Sequence, residues 1–135
     1  MSNLQQAPTT VNNIGVAMFA VSDQDAAIAF YVEKLGFELR ADVPFGPDGE
    51  MRWVEVAPPG STARLALNPA MPGSQPGGSG IGVETRDVRG EHARLKAIGG
   101  IEVDEPMEAP GAPLLFMMRD PDGNHIAVVE PAPGT

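Results

Sequence analysis

The stretch RDPDGNHIAVVE, residues 119–130, reads as a tight turn followed by a β-strand. Aspartate, proline and glycine are typical turn residues, and the β-branched residues that follow are typical of a strand. Successive side chains of a strand point to opposite faces, so His125, Ala127 and Val129 share one face. The fold and the function both depend on whether this face or the opposite one meets the protein core.

The pattern of this stretch has a counterpart earlier in the chain. Turn and cap residues recur at a nearly constant shift of 63 or 64 positions: Asp23 and Asp87, Gly36 and Gly100, Gly60 and Gly123. Such a regular shift indicates an internal duplication. Unit one is assigned to about residues 13–68 and unit two to about residues 80–131, with the Pro/Gly/Ser-rich segment 69–79 as a linker.

Hydrophobic periodicity predicts the same order of elements in both units, namely a strand, a helix and three further strands. In unit one the predicted ranges are 15–23, 24–36, 37–43, 51–57 and 62–68. In unit two they are 80–87, 88–100, 101–107, 113–120 and 124–130. The fold class is therefore α+β, with two tandem βαβββ units. Each helix covers only one face of its sheet, so two units side by side are expected to form a concave ligand cleft.

The composition excludes several classes of function. The 135 residues fit one domain, and the absence of cysteine excludes disulfides, thiolate metal sites and a cysteine nucleophile. A net charge of −9 would repel nucleic acid and anionic membranes. No apolar run approaches the roughly 20 residues that cross a bilayer, and residues 1–13 do not resemble a secretory signal. We therefore expect a cytoplasmic protein without nucleic-acid or membrane partners.

A family resemblance is carried by four stretches of the chain. They are VSDQDAAIAFYVEKLGFELR (21–40), RWVEVAPPG (52–60), RLKAIGG (94–100) and RDPDGNHIAVVE (119–130). In this order and spacing they resemble the vicinal oxygen chelate superfamily, which includes glyoxalase I, extradiol dioxygenases and the bleomycin-binding resistance proteins. The resemblance implies the two-unit fold but no particular reaction, because one scaffold hosts both enzymes and binding proteins. It also implies a homodimer, in which the N-terminal strand can be exchanged between subunits.

If the chain were one of the enzymes of this superfamily, the resemblance would imply a divalent metal. The metal would be held by His and Glu side chains from the first and fourth strands of each unit. Those positions fall on Val16, Arg64, Gly80 and Ala127 here. None of the four supplies an imidazole or a carboxylate, and an arginine would repel a cation. A register change of one residue would turn the strand over and brings no ligand either. We therefore expect no metal and no cofactor.

The side chains expected to contact a ligand follow from strand alternation and, for Phe45, from a loop over the cleft mouth. They are Met18, Phe45, Trp53, Glu55, Arg64, Glu84, Phe116, Met118 and His125. The third-strand residues among them depend on hairpin registers that place Glu55 opposite Arg64 and Met118 opposite Ala127. The Glu55 and Arg64 pair is either an anchor for a polar ligand group or a cross-strand ion pair. The opposite strand faces are expected to pack beneath the helices.

Two classes of function are compatible with these residues. The first is a metal-free small-molecule-binding protein, such as one that sequesters an antibiotic or drug as the bleomycin resistance proteins do. The alternative is a glyoxalase-like lyase, isomerase or other enzyme, either metal-independent or with unrecognised ligands. A metal-independent enzyme would need Glu55, Glu84 or His125 as a general base, but no orienting partner is evident in the sequence.

Overall fold

The computed structural model describes residues 7–132. Unit one contains β1 (Val16–Ala20), α1 (Gln24–Ile28) with a π-helical continuation (Ala29–Lys34), β2 (Glu38–Phe45), β3 (Met51–Ala57) and β4 (Arg64–Asn68). Unit two contains β5 (Gly80–Glu84), α2 (Val88–Ile98), β6 (Glu102–Val103), β7 (Leu115–Arg119) and β8 (His125–Val129). The two four-stranded sheets have the same topology, β1-β4-β3-β2 and β5-β8-β7-β6. The α+β class with two βαβββ units is thus confirmed.

Both helices begin at the aspartate that follows the first strand of the unit. The Asp23 side chain accepts a hydrogen bond from the Ala26 amide at 3.0 Å, and the Asp87 side chain accepts one from the Gly90 amide at 2.9 Å. Each carboxylate satisfies an amide that the first helical turn leaves without a backbone partner. Among residues 7–132, no helix is long and apolar enough to cross a membrane.

The hydrophobic core lies between the helices and one face of each sheet. Its strand residues include those predicted to pack beneath the helices: Phe19, Val21, Leu65, Leu67, Ile126 and Val128, all at most 4 % exposed. They join helix residues such as Tyr31 and Leu95 in a single cluster that spans both units. Because Ile126 and Val128 face this core, the other face of β8 carries His125, Ala127 and Val129.

The predicted register of the β7–β8 hairpin is wrong by one residue. Ala127 lies opposite Met117 and not opposite Met118. A one-residue change reverses the face of every side chain in the strand. Phe116 and Met118 are accordingly 0 % and 1 % exposed and face the core, so the prediction that they lie on the same sheet face as Ala127 is corrected.

The β3–β4 hairpin also differs from the prediction, but by two residues. Glu55 lies opposite Ala66 instead of Arg64, and a shift of two keeps Glu55 and Arg64 on the same face. The shift of 63 positions that relates Gly60 to Gly123 does not extend into the last strand. Arg64 lies beside Val16, whereas His125 lies beside Gly80, so strand pairing makes His125 the counterpart of Arg64.

A buried polar network joins the turn between β7 and β8 to unit one. The Tyr31 hydroxyl donates to the Asp120 carboxylate at 2.9 Å. The side-chain amide of Asn124 donates to the Ala20 carbonyl at 3.1 Å and to the Asp120 carboxylate at 3.0 Å. Burial, followed by the charge and hydrogen bond of Asp120, raises the pKa of Tyr31 far above its usual range. The phenol therefore stays protonated and acts as a permanent donor between the units.

Candidate functional site

Three polar side chains form a continuous network on the face of the unit one sheet that points away from the core. The Arg64 Nε donates to Glu55 Oε1 at 2.7 Å, and the Trp53 indole Nε1 donates to Glu55 Oε2 at 2.9 Å. Trp53 and Glu55 are two residues apart on β3, and Arg64 begins the neighbouring strand β4. Strand alternation therefore places all three on one face, which we call the open face of unit one.

The electrostatics of this network fix Glu55 as a carboxylate. Burial raises the pKa of the Glu55 carboxyl, but the hydrogen bonds from Trp53 and Arg64, together with the Arg64 charge, outweigh it and lower the net pKa. Both carboxylate oxygens are already occupied by donors. A carboxylate that is both stabilised and occupied is a poor proton acceptor, which disfavours Glu55 as a general base.

Arg64 has hydrogen-bonding capacity left over. Only its Nε is used within residues 7–132, so the two terminal amino groups have no protein acceptor there. The side chain is 38 % exposed, and a Cβ built on Gly15 would come within 3.9 Å of the Arg64 Nη1. Glycine at position 15 therefore leaves space next to the guanidinium, where an acceptor oxygen of a ligand could bind.

The surroundings of the network are apolar and exposed. Met18 is 65 % exposed, and Phe45 is 38 % exposed with its ring 6.1 Å from the Trp53 ring in an edge-on arrangement. On the same face, Val43 of β2 lies opposite Trp53 and Met51 of β3 lies opposite Phe45. Val43 and Met51 are 49 % and 45 % exposed. Several exposed apolar side chains on one sheet face are typical of a binding site for a ligand or a partner.

A groove of about 960 Å³ runs between the two units. It is lined by Ala17, Arg64 and Leu65 of unit one, by residues 81–86 of β5 and the segment after it, and by the turn at residues 58–61. Arg64 therefore belongs both to the open face and to this groove, which Glu84 of unit two also lines. The volume is in the range of pockets that hold small organic ligands.

The equivalent face of unit two is arranged differently. His125 is exposed at the start of β8, opposite Arg119. Arg119 donates to both oxygens of Asp104 at 3.2 Å, and this hydrogen bonding lowers the pKa of the Asp104 carboxyl. Because its guanidinium already has a bidentate partner, Arg119 is less available to a ligand than Arg64.

The structure thus separates the nine predicted site residues into groups. Met18, Phe45, Trp53, Glu55 and Arg64 come together on the open face of unit one, Glu84 lines the groove, His125 lies on the exposed face of unit two, and Phe116 and Met118 lie in the core. The prediction missed Val43 and Met51, and it missed Leu115 and Met117, which face the same way as Ala127. The apolar run LLFMM at 114–118 has no alternation that could have identified the outward residues.

The sequence assigned the metal ligands to Val16, Arg64, Gly80 and Ala127, but strand pairing puts His125 in place of Ala127 as the fourth of these positions. Val16, Arg64 and Gly80 have no side chain that coordinates a metal as imidazole or carboxylate does, so His125 is a single imidazole without a second ligand at these positions. Within residues 7–132, no group of three or more His, Asp or Glu side chains is placed to hold a metal ion.

Comparison with known proteins gives consistent matches over nearly the whole chain. The model of the Glyoxalase/Bleomycin resistance protein/Dioxygenase superfamily matches residues 13–128. Protein YetH of Bacillus subtilis (strain 168) is 35 % identical over 116 residues, covering 84 % of this chain and 94 % of its own length.

Two solved structures are also similar. TnmS3, an antibiotic binding protein from Streptomyces sp. CB03234, is 37 % identical with a TM-score of 0.82, covering 93 % of this chain and 100 % of its own. A member of the same superfamily from Sphaerobacter thermophilus is 34 % identical with a TM-score of 0.82, covering 91 % and 100 %.

Proposed function

The chain belongs to the Glyoxalase/Bleomycin resistance protein/Dioxygenase superfamily, and from that membership we propose that it is a metal-free protein that binds and sequesters a small molecule of the antibiotic type. The observation that carries the proposal is Arg64, a guanidinium held at its Nε by Glu55 and free at its terminal amino groups beside an exposed apolar surface. The 37 % identity to an antibiotic binding protein supports the same class of ligand.

The chemistry of the open face defines the ligand. A flat apolar body would lie against Trp53, Phe45 and Met18, since aromatic and thioether side chains pack well on conjugated rings. An oxygen acceptor on that body would receive hydrogen bonds from Arg64, whose planar donors suit a carboxylate or a carbonyl. Glu55 orients the arginine and keeps the site locally neutral.

Metal-free binding is supported by the donor set. Val16, Arg64 and Gly80 stand at three of the four positions assigned to the metal, and the fourth is Ala127 by sequence or His125 by strand pairing, so these positions offer at most one imidazole. A guanidinium is cationic at any working pH, so it opposes a divalent ion at this place. The site residues instead match recognition of an organic ligand.

Two further features belong to the same proposal. We propose a cytoplasmic location, which a chain without cysteine permits. We also propose a homodimer, since Val11 and Ile14 in the segment before β1 are 75 % and 84 % exposed. Light scattering of the full chain and of Val11→Ser/Ile14→Ser tests this, because loss of the dimer is expected in the variant and a wild-type monomer would contradict it.

The function is tested by titrating aromatic antibiotics into the protein while following the fluorescence of Trp53, the single tryptophan. Saturable quenching is expected, with the ligand recovered chemically intact. Arg64→Ala should weaken binding by about 10- to 100-fold, the range for loss of a hydrogen bond to a charged group, and Arg64→Lys should restore only part of it.

Arg89→Ala is the matched control, because Arg89 pairs with Glu108 on the surface far along the chain from the site. It should leave the affinity unchanged. A chemically altered product would assign the protein to the enzyme class instead, and equal affinities of the Arg64 and Arg89 variants would remove Arg64 from the site.

A further inference from the structure

A second, smaller cavity of about 190 Å³ lies between the two units, next to the groove. Its floor consists of core residues of unit two, Leu95, Met118, Ile126 and Val128. Its wall is the end of the first helical segment and the turn of unit one, residues 35–37 and 58–59. We call it the inner pocket. It shares Phe37, Pro58 and Glu84 with the groove, so the two spaces adjoin.

The internal duplication explains why this cavity exists. At the other end of the molecule the corresponding space is filled by Phe19 and Tyr31, which are 2 % and 0 % exposed. A shift of 64 positions replaces them with the smaller Val83 and Leu95. In the adjoining turn, a shift of 63 replaces Asp120 and Asn124, which tie the units together, with Ala57 and Ser61.

The same comparison between the two units shows that the inner pocket has carboxylates where the filled end of the molecule has uncharged residues. Glu84 and Glu91 line the inner pocket, whereas the positions 64 residues earlier are Ala20 and Ala27. Glu91 is paired with Arg94 at 2.7 Å. Glu84 has no ion-pair partner within residues 7–132, so its carboxylate is available to a ligand.

From this geometry we propose that the inner pocket is a ligand subsite for a cationic group attached to an aromatic ring or a short branched chain. The ring lies on Leu95 and Met118, and the ammonium meets Glu84 at the mouth. The size is suitable, because an apolar cavity of about 150 Å³ in another protein accepts benzene. The inference rests on the proposed function: the subsite takes an amine-bearing arm of the ligand whose acceptor group binds Arg64.

The test uses three probes of one size, benzylammonium, benzyl alcohol and benzoate, with methyl NMR of Leu95 and Val83 as the readout. Saturable shifts are expected for benzylammonium, with benzyl alcohol about two- to five-fold weaker, as for a partly exposed ion pair, and benzoate weaker still. Glu84→Gln should reduce benzylammonium to the level of the alcohol. Glu33 is an exposed carboxylate on the π-helical segment of unit one, and Glu33→Gln should leave the affinity for benzylammonium unchanged.

Variants taken from the filled end of the molecule test the cavity itself. Val83→Phe and Leu95→Tyr introduce the residues found 64 positions earlier and should abolish binding of all three probes. Leu95 is 1 % exposed and its variant can fail to fold, so Val83→Phe, at a half-buried position, is the deciding variant. Its folding is checked by circular dichroism.

Non-saturable shifts, or probe binding that survives Val83→Phe, would overturn the subsite. Such a result leaves the proposed function standing if antibiotics still quench Trp53. The opposite result, probe binding at Leu95 without quenching by any antibiotic, would retain the subsite and reject the antibiotic-type ligand.

Discussion

Replacement of Glu55 by glutamine tests the network on the open face most directly. In the wild type, one carboxylate oxygen accepts from Arg64 at 2.7 Å and the other accepts from Trp53 at 2.9 Å. Glutamine has a similar shape but only one acceptor oxygen. Its amide group must therefore face either the guanidinium or the indole N–H, and a donor then lies against a donor.

The expected cost follows from the exposure of the two partners. The Glu55 side chain is 12 % exposed, but the Arg64 side chain is 38 % exposed, so water screens the pair. Fully exposed ion pairs contribute up to about 1 kcal/mol, whereas removal of one partner from a buried pair costs about 3–5 kcal/mol. We expect Glu55→Gln to lower the free energy of unfolding by about 1–2 kcal/mol, between these limits.

Urea denaturation at neutral pH, followed by circular dichroism, measures this difference. Glu84→Gln is the matched control, because the same chemical change is made at an exposed carboxylate without an ion-pair partner among residues 7–132. It should change the stability by less than about 0.5 kcal/mol. Equal midpoints for the two variants would refute the reasoning about the network.

The difference should also depend on pH. The folded-state pKa of Glu55 lies below its ordinary value of 4.5, so the carboxylate stabilises the fold above that pH. The stabilisation is lost as the pH falls through the lower folded-state pKa, where the wild type becomes a neutral acid. The stabilities of wild type and Glu55→Gln should therefore converge in acid, and a gap that is constant with pH would contradict an electrostatic origin.

Two further predictions concern the core and the connection between the units. Phe116→Ala should destabilise the protein by about 3–5 kcal/mol, whereas Met117→Ala should cost less than about 1 kcal/mol. Urea denaturation measures both values, and a larger loss of stability in Met117→Ala than in Phe116→Ala would show that the β7 register is wrong. The raised pKa of Tyr31 stabilises the fold below its ordinary value of 10.0, and this contribution is lost at higher pH. Tyrosinate absorbance, which reports Tyr31 alone, should accordingly appear only with alkaline unfolding.

The sequence predicted those elements whose signal is local. Asp23 and Asp87 begin the helices because a short acceptor before a helical pattern satisfies free amides, and this chemistry is visible in the sequence. The core faces of β1, β4 and β8 were predicted because apolar and small or polar residues alternate there. The class of fold follows from the repetition of these signals.

The face of β7 could not be predicted in the same way. Leu114 to Met118 are all apolar, so either face could have been buried. The register is instead determined by the turn, where the Asp120 amide donates to the Asn124 carbonyl at 2.9 Å and places Arg119 opposite His125. The inner pocket was likewise invisible, because it arises from contacts between units that are distant in sequence.

The duplication allows stability and binding to be located at opposite ends of the molecule. The turn of unit two is tied to unit one through the buried Tyr31 and Asn124, so one end already holds the units together. The other end lacks this network, and there the turn at 58–61 borders the groove that contains Arg64.

This separation predicts a double contrast between two variants. Tyr31→Phe removes a buried donor and should lower the free energy of unfolding by about 1–3 kcal/mol while leaving the affinity for an antibiotic unchanged. Arg64→Ala should weaken ligand binding with a smaller effect on stability, because its guanidinium is partly exposed. Urea denaturation and Trp53 quenching on the same preparations measure both quantities. If Tyr31→Phe weakened binding as much as Arg64→Ala did, ligand binding near Arg64 would depend on the buried network around Tyr31. Stability and binding would then not be located at separate ends of the molecule.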